Sequence, residues 1–191
     1  MIAGLLGAHR VGKSTLAYEY ALKHNYQYHP ISISKLQAEI GFDSNNQSYD
    51  FDDRIKIQDH VLKRLAENLE AIDNKGEYII TDRCPLDLIG YTMIHVTEHV
   101  TEEQSEWLLQ YIQKCIDLTN KHYYRVVLIQ PGIPLVTENT TSAVARMGII
   151  EHLNLIYLGI STDPRLRIKP TVFDRTLTDL KERLNQLNKL V

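Results

Sequence analysis

The sequence predicts a three-layer α/β/α fold in which helices cover both faces of a five-stranded parallel sheet. Short apolar runs alternate along the chain with longer amphipathic stretches, which is typical of repeated strand–helix units. The runs are nearly continuously apolar, as expected for parallel strands that are covered on both faces. A glycine-rich turn also joins the first apolar run to the first amphipathic stretch.

Five apolar runs are predicted as strands. The first precedes the glycine-rich turn, and the fourth has the highest density of β-branched residues. Because proline has no amide hydrogen to donate, Pro131 ends the fourth strand. The predicted strands are residues 2–6, 26–33, 77–81, 124–130 and 168–173.

Seven stretches are predicted as helices, and characteristic residues mark their ends. Gly41 ends the short second helix, Gly76 follows the long third helix, and Pro85 begins the fourth. Thr101 and Gln104 form a capping box, in which the two side chains satisfy free backbone amides at the start of the fifth helix. The predicted helices are residues 13–24, 34–40, 52–74, 85–100, 101–122, 142–160 and 176–190.

Composition and charge exclude several classes of protein. The chain has 191 residues, of which 43% are hydrophobic, and this size suits one domain spanning residues 1–191. Its formal net charge of −3 gives no overall attraction to nucleic acid. The 2 cysteines are too few for a disulfide framework or a zinc site, and no apolar run approaches the ~20 residues of a membrane-spanning helix. We therefore expect a soluble cytoplasmic protein with no membrane partner.

Residues 7–15 carry the complete phosphate-binding pattern G-x-x-x-x-G-K-[ST], directly after an apolar strand. The glycines let the backbone approach the phosphates, and the loop amides converge on them together with the positive end of the following helix. The lysine suits the β- and γ-phosphates, and the serine hydroxyl suits Mg²⁺. The motif therefore predicts binding of ATP and Mg²⁺. The predicted cofactor-binding residues are Gly7, Ala8, His9, Arg10, Val11, Gly12, Lys13, Ser14 and Thr15.

Backbone groups are expected to make most contacts at the variable positions of this loop. The side chains of His9 and Arg10 are therefore expected to point away from the nucleotide. Lys13 is predicted to be catalytic, because its ammonium group is a point charge aimed at the transferred phosphate.

A carboxylate and a guanidinium follow the third predicted strand. Ligands bind at the carboxyl ends of parallel strands, so Asp82 and Arg83 are expected beside the phosphate-binding loop. Asp82 suits a role as a metal contact, together with Ser14, or as a base for an attacking hydroxyl, and Arg83 suits a phosphoryl group. We predict both residues as catalytic. The alternative is a surface pair in which Asp82 caps the next helix.

The long third helix points to an acceptor site. Its apolar stripe, which includes Val61, Leu65 and Leu69, continues backward to the polar residues Gln58 and Arg54. At this end the inward face of the helix is expected to border the cleft, so both side chains are predicted to bind the acceptor. The alternative is that this end of the helix extends into solvent.

Two further segments complete the predicted site. Phe51, like Tyr49, precedes the long helix and is suited to stack on a base, and the alternative is that the two rings only hold the adjoining loop in place. Residues 34–60 are predicted as the acceptor side. Residues 131–149 are predicted as a lid that excludes water. Arg146 would then be the cation that the lid brings to the transferred phosphoryl group.

These motifs resemble those of the P-loop nucleoside and nucleotide kinases, most closely the thymidylate-kinase-like branch. The resemblance rests on residues 7–15, 51–54 and 81–91. It implies a sheet with the strand order 2-3-1-4-5. Small P-loop kinases common in bacteriophages are also similar, including some that phosphorylate 5-hydroxymethyluracil within DNA, and nicotinamide riboside kinases are a further relative.

The resemblance also implies roles for individual residues. In that family an aromatic residue and an arginine at the head of the long helix contact the pyrimidine, which corresponds to Phe51 and Arg54. The family's Asp-Arg motif places a carboxylate near the metal or sugar and an arginine on phosphate, which corresponds to Asp82 and Arg83. Tyr91 matches a later aromatic residue of the following helix.

The predicted function is transfer of the γ-phosphoryl group of MgATP to a pyrimidine-type nucleotide, nucleoside or hydroxymethylated DNA base. A small-molecule acceptor is favoured over modified DNA, because the sequence has no dense run of basic residues. A homodimer is compatible with the sequence. A GTPase-type switch is disfavoured. Residues 120–123 resemble the guanine-binding motif N-K-x-D of such proteins, but Tyr123 replaces the carboxylate that binds guanine. A non-catalytic nucleotide-binding module is the remaining alternative.

Overall fold

The computed structural model describes residues 1–42, 49–134 and 146–191. Its strands form one sheet in the order β2-β3-β1-β4-β5, and every pair of neighbours is parallel. The predicted fold class and strand order are therefore confirmed. The strands are β1 (Ile2–Leu6), β2 (Gln27–His29), β3 (Ile79–Thr81), β4 (Tyr123–Ile129) and β5 (Thr171–Phe173).

Helices cover both faces of this sheet. Helices α1 and α7 pack against each other, whereas α4 contacts α3, α5 and α6. All residues of β1 are buried, as expected for a central strand with a helical layer on each side. The helices are α1 (Lys13–His24), α2 (Ile33–Ala38), α3 (Phe51–Asp73), α4 (Pro85–Met93), α5 (Glu102–His122), α6 (Met147–Ser161) and α7 (Leu180–Asn188).

The register of the central strands brings their carboxyl ends to one edge. Gly4 of β1 is paired with Thr81 of β3 on one side and with Val126 of β4 on the other. Residues that follow β1 and β3 therefore leave the sheet side by side. This places the glycine-rich loop next to Asp82.

Several elements, including strands β2, β3 and β5 and helices α4 and α7, are shorter than predicted, and local hydrogen bonds explain the two helices. Helix α4 ends at Met93, and the Thr97 hydroxyl then accepts from a nearby amide and favours a turn. Helix α7 begins at Leu180, because the Asp179 carboxylate caps its first turn. Strand β2 ends at His29, directly before a proline that cannot donate to a ladder.

The structure also shows the state of the two cysteines and the character of the helices with respect to a membrane. Cys84 and Cys115 are buried free thiols. Among the helices of the described ranges, none combines the length and apolar character needed to cross a membrane.

Candidate active site

The glycine-rich loop between β1 and α1 has the backbone shape of an anion-binding nest. Gly7 and Gly12 adopt φ angles of +146° and +86°, in the region that side chains disfavour. A Cβ atom on Gly7 would lie 2.5 Å from the carbonyl oxygen of Ile129, so only glycine fits against β4 there. The free amides at the start of α1 follow directly, which makes the loop suitable for phosphate.

Lys13 is held at the centre of this loop. Its Nζ donates hydrogen bonds to the carbonyl oxygens of Gly7 at 2.6 Å and Ala8 at 2.7 Å. Burial lowers the pKa of Lys13 to about 8, while the nearby Asp87 carboxylate opposes that shift. The ammonium group is therefore a poorly hydrated cation, whose attraction to a phosphate is stronger than in water.

Asp82 follows β3 and joins the loop to two other elements. Its Oδ2 accepts hydrogen bonds from Ser14 Oγ at 2.5 Å and from the Tyr28 hydroxyl at 3.0 Å. Its Oδ1 accepts from the amide of Ile31 at 3.0 Å. The carboxylate is only 7% exposed, and these three donors hold it in one orientation. The structure thus brings together the two residues that the sequence predicted as metal contacts.

These oxygen groups fit a magnesium site that is completed by phosphate. Mg²⁺ is typically held by one or two protein oxygens, with phosphate and water supplying the other ligands. The Ser14 hydroxyl and the Asp82 carboxylate are such a pair. Within the ranges that the structure describes, no group of three or more His, Cys, Asp or Glu side chains forms a metal site of its own.

Arg83 lies against α4 and the outer part of the loop. Its Nη2 is 3.3 Å from His9 Nδ1, its guanidinium lies 5.4 Å from the centre of the Tyr91 ring, and its Nη1 is 3.8 Å from Asp87 Oδ1. Burial disfavours the charged form, but Tyr91 and Asp87 outweigh this and raise the pKa of Arg83. The arginine therefore stays charged and is held from three sides.

His9 has a role that the sequence did not predict. Burial, together with the adjacent Arg83 and Lys13, lowers its pKa to about 3, so the imidazole is neutral at pH 7. A neutral ring can accept the hydrogen bond from Arg83, and it also packs on Tyr91 with the ring centres 4.9 Å apart. The side chain is thus turned toward Arg83, whereas we expected it only to point away from the nucleotide.

The predicted acceptor residues occupy the head of α3. Phe51 is the first residue of that helix, and its ring meets Trp107 of α5 edge-on at 6.2 Å. Gln58 is buried, and its Oε1 accepts a hydrogen bond from the Tyr111 hydroxyl at 2.9 Å. One end of the Gln58 amide is therefore used by the protein itself.

Several arginines of the described residues form ion pairs with carboxylates, but Arg54 does not. It is half-buried, burial lowers its pKa, and no carboxylate of a described residue forms an ion pair with it. A half-buried cation of this kind is suited to bind an acceptor oxygen.

Arg146 and the predicted lid are only partly described. Arg146 is the exposed N-cap residue of α6, and residues 135–145 of the predicted lid lie outside the described residues. A cavity of about 170 Å³ separates the loop from α6. It is lined by His9, Arg10, Val11, Pro131, Gly132, Ile133, Pro134, Met147 and Ile150.

Sequence reasoning missed two side chains that contact the loop or its aspartate. Tyr28 lies on a short strand whose pattern carries no sign of a contact with Asp82. Arg183 lies on the apolar stripe of α7, three residues after Leu180 and four before Leu187, and it is buried against the loop. A charged residue on an apolar stripe is the same signal that identified Arg54.

The fold is shared with several solved structures. A deoxyadenosine kinase from M. mycoides with bound dATP is 16% identical, with a TM-score of 0.66 and coverage of 99% of this chain and 98% of that chain. YorR from Bacillus subtilis, in complex with phosphorylated GDP, is 18% identical with a TM-score of 0.57, and the match covers 99% of this chain and 94% of that one.

NadR in complex with NR is also similar. It is 13% identical with a TM-score of 0.63, and the match covers 95% of this chain but only 50% of NadR. Similarities at this level of identity establish a common fold. The resemblance to P-loop kinases and to their thymidylate-kinase-like branch stays a prediction from the sequence motifs.

The sequence was also compared with curated proteins and with models of protein families. No curated protein matches the chain. A family model described as an AAA domain matches residues 4–147, which is more than half of the chain and includes the phosphate-binding loop, Asp82 and Arg83. The chain therefore belongs to this AAA domain family.

Proposed function

We propose that this protein is a kinase that transfers the γ-phosphoryl group of ATP to a small pyrimidine-type nucleoside or nucleotide. The observation that carries the proposal is the 2.5 Å hydrogen bond from Ser14 Oγ to Asp82 Oδ2, beside a complete phosphate-binding loop. Proteins that only bind a nucleotide need the loop, but phosphoryl transfer also needs a metal site and charge on the transferred group. Asp82 and Arg83 supply candidates for both.

Each residue has a distinct task in the proposed reaction. The loop amides and Lys13 hold the β- and γ-phosphates, and Ser14 and Asp82 hold Mg²⁺, which neutralises charge on the same oxygens. Arg83 lies between β3 and α4 next to the loop, and it stabilises the negative charge of the transferred group. We retain Arg146 as a further cation for this group, on the grounds of its position at the start of α6.

The acceptor is proposed to bind between α3 and α4. Phe51 offers a ring for stacking, while Arg54 and the amide nitrogen of Gln58 offer hydrogen-bond donors to a base. Tyr91 lies beside Arg83 and would contact the sugar or base. The deoxyadenosine kinase of M. mycoides also binds dCMP and dCDP as products, which supports a nucleoside or nucleotide acceptor for this fold.

Nicotinamide riboside is a second candidate acceptor. The observation in its favour is the similarity to NadR, which was solved in complex with NR. The same donor site would serve either acceptor, so the distinction lies with the residues at the head of α3. Hydroxymethylated DNA, a cytoplasmic location and a homodimer all stay predictions from the sequence.

Transfer of ³²P from γ-labelled ATP tests the proposal directly. The purified protein is incubated with Mg²⁺ and, in separate reactions, with pyrimidine and purine nucleosides, their monophosphates, nicotinamide riboside and DNA containing 5-hydroxymethyluracil. We expect label in a pyrimidine nucleoside or nucleotide, and about 10–100-fold less of it when Asp82→Asn replaces the wild type. Label only in nicotinamide riboside or in DNA would select that acceptor instead. ATP binding without label in any acceptor would contradict a kinase of this class.

A further inference from the structure

One arginine from the far end of the chain is buried beneath the phosphate-binding loop. Arg183 of α7 is 2% exposed. Its Nη1 donates to the carbonyl oxygen of Val11 at 2.7 Å, and its Nε donates to the carbonyl oxygen of Leu177 at 2.5 Å. The side chain therefore connects the loop to the segment between β5 and α7.

Within the described residues, no carboxylate neutralises the positive charge of Arg183, and burial lowers its pKa. Carbonyl oxygens accept its hydrogens but carry no net charge. A buried charge without a counter-ion is costly, and an anion bound nearby reduces that cost.

The guanidinium lies where such an anion would act on it. A Cβ atom on Gly12 would be 3.1 Å from Arg183 Nη1, so the group touches the residue that directly precedes Lys13. Lys13 contacts the same loop through hydrogen bonds to the carbonyl oxygens of Gly7 and Ala8. The two cations thus flank the same short stretch of backbone. Phosphates bound to the loop amides would lie within the field of both.

We propose that Arg183 is a positioning residue of the donor-nucleotide site. It fixes the peptide between Val11 and Gly12, and its buried charge favours ligands in proportion to the negative charge that they place on the loop. This inference rests on the proposed use of ATP. It does not depend on which acceptor is phosphorylated.

Two substitutions separate charge from hydrogen bonding. Arg183→Gln keeps a donor but removes the charge, whereas Arg183→Lys keeps the charge. Lys181→Gln is the matched control, because Lys181 is an exposed cation two residues away on the same helix. Dissociation constants for MgATP, ADP and AMP are measured by calorimetry or competition, and melting temperatures are measured without nucleotide.

We expect Arg183→Gln to weaken MgATP binding by roughly tenfold, with a smaller loss for ADP and the smallest for AMP. Arg183→Lys should recover most of the affinity, and Lys181→Gln should bind like the wild type. Unchanged MgATP binding in Arg183→Gln overturns the inference, as do equal losses for all three nucleotides or an Arg183→Lys variant as weak as Arg183→Gln. Because the readout is binding, a wild type that binds ATP but phosphorylates nothing would refute only the proposed function.

Discussion

The proposed donor and acceptor ends of the site differ in how firmly their charged groups are held. At the donor end Lys13 makes two hydrogen bonds to loop carbonyls, and Asp82 accepts three from separate elements. At the acceptor end Arg54 is half-buried and has no ion-pair partner within the described ranges. The phosphate-binding half is therefore already arranged for its ligand. The proposed acceptor half contains a cation with no ion-pair partner among the described residues, and this cation is available to a substrate.

This difference has a physical consequence for specificity. A preorganised donor site stabilises charge without reorganising during the reaction, and it can serve many acceptors equally well. Discrimination between acceptors must then come from the head of α3, where hydrogen-bonding capacity is left over. Substitutions at the two ends should consequently separate effects on turnover from effects on acceptor affinity.

The largest effect is expected for Lys13→Ala. Removing a preorganised cation from the transferred phosphate should lower the turnover number by ~10²-fold or more. Lys23→Ala, at an exposed position of the same helix, is the control. Turnover is measured with γ-labelled ATP and a saturating acceptor. Near-normal turnover in the Lys13 variant would show that the donor end is not the catalytic half.

The next effect is expected for Asp82→Asn. The neutral amide has the same shape but attracts Mg²⁺ less, and loss of such a metal partner typically lowers metal affinity or activity by about 10–100-fold. The activity should therefore require more Mg²⁺, as a titration of rate against Mg²⁺ concentration would reveal. Asp117→Asn on the exposed face of α5 is the control. An unchanged Mg²⁺ requirement would remove Asp82 from the metal site.

At the acceptor end, Arg54→Gln should act mainly on acceptor affinity. Loss of a charge-assisted hydrogen bond, worth about 1.5–3 kcal/mol, should raise the KM for the acceptor by roughly tenfold or more. The KM for ATP should change little, because Arg54 lies outside the loop. Lys56→Gln, an exposed cation on the same helix, serves as the control. Equal changes in both KM values would contradict the division into two ends.

The smallest effect is expected for Tyr28→Phe. It removes one of three hydrogen bonds to Asp82, and a single bond of this kind contributes about 1 kcal/mol, or roughly fivefold. The Mg²⁺ requirement should rise by that factor while the acceptor KM stays constant. Tyr18→Phe is a suitable control, because Tyr18 is largely exposed and packs edge-on against Tyr28 without contacting Asp82. A change in acceptor KM instead would place Tyr28 at the other end of the site.

The donor end was largely predictable from the sequence, because its signals are local. The loop pattern, the apolar strand before it and the Asp82–Arg83 pair after β3 are short motifs whose spacing implies their position. The acceptor end depends on helix packing, so Gln58 was identified by its stripe but its hydrogen bond with Tyr111 was not. Helix periodicity predicts which face is buried, but it does not predict the partner across the interface.

The sequence by itself determined the fold class, through the alternation of apolar and amphipathic stretches, and identified the glycine-rich loop, through a local motif. The strand order followed from the family resemblance. Only the tertiary structure decided which distant groups support that loop. Tyr28 contacts Asp82, Arg83 contacts His9 of the loop, and Arg183 contacts Val11 of the loop, each through packing between elements far apart in the chain. Such contacts depend on how helices and strands are oriented on the sheet, and no local pattern encodes that orientation.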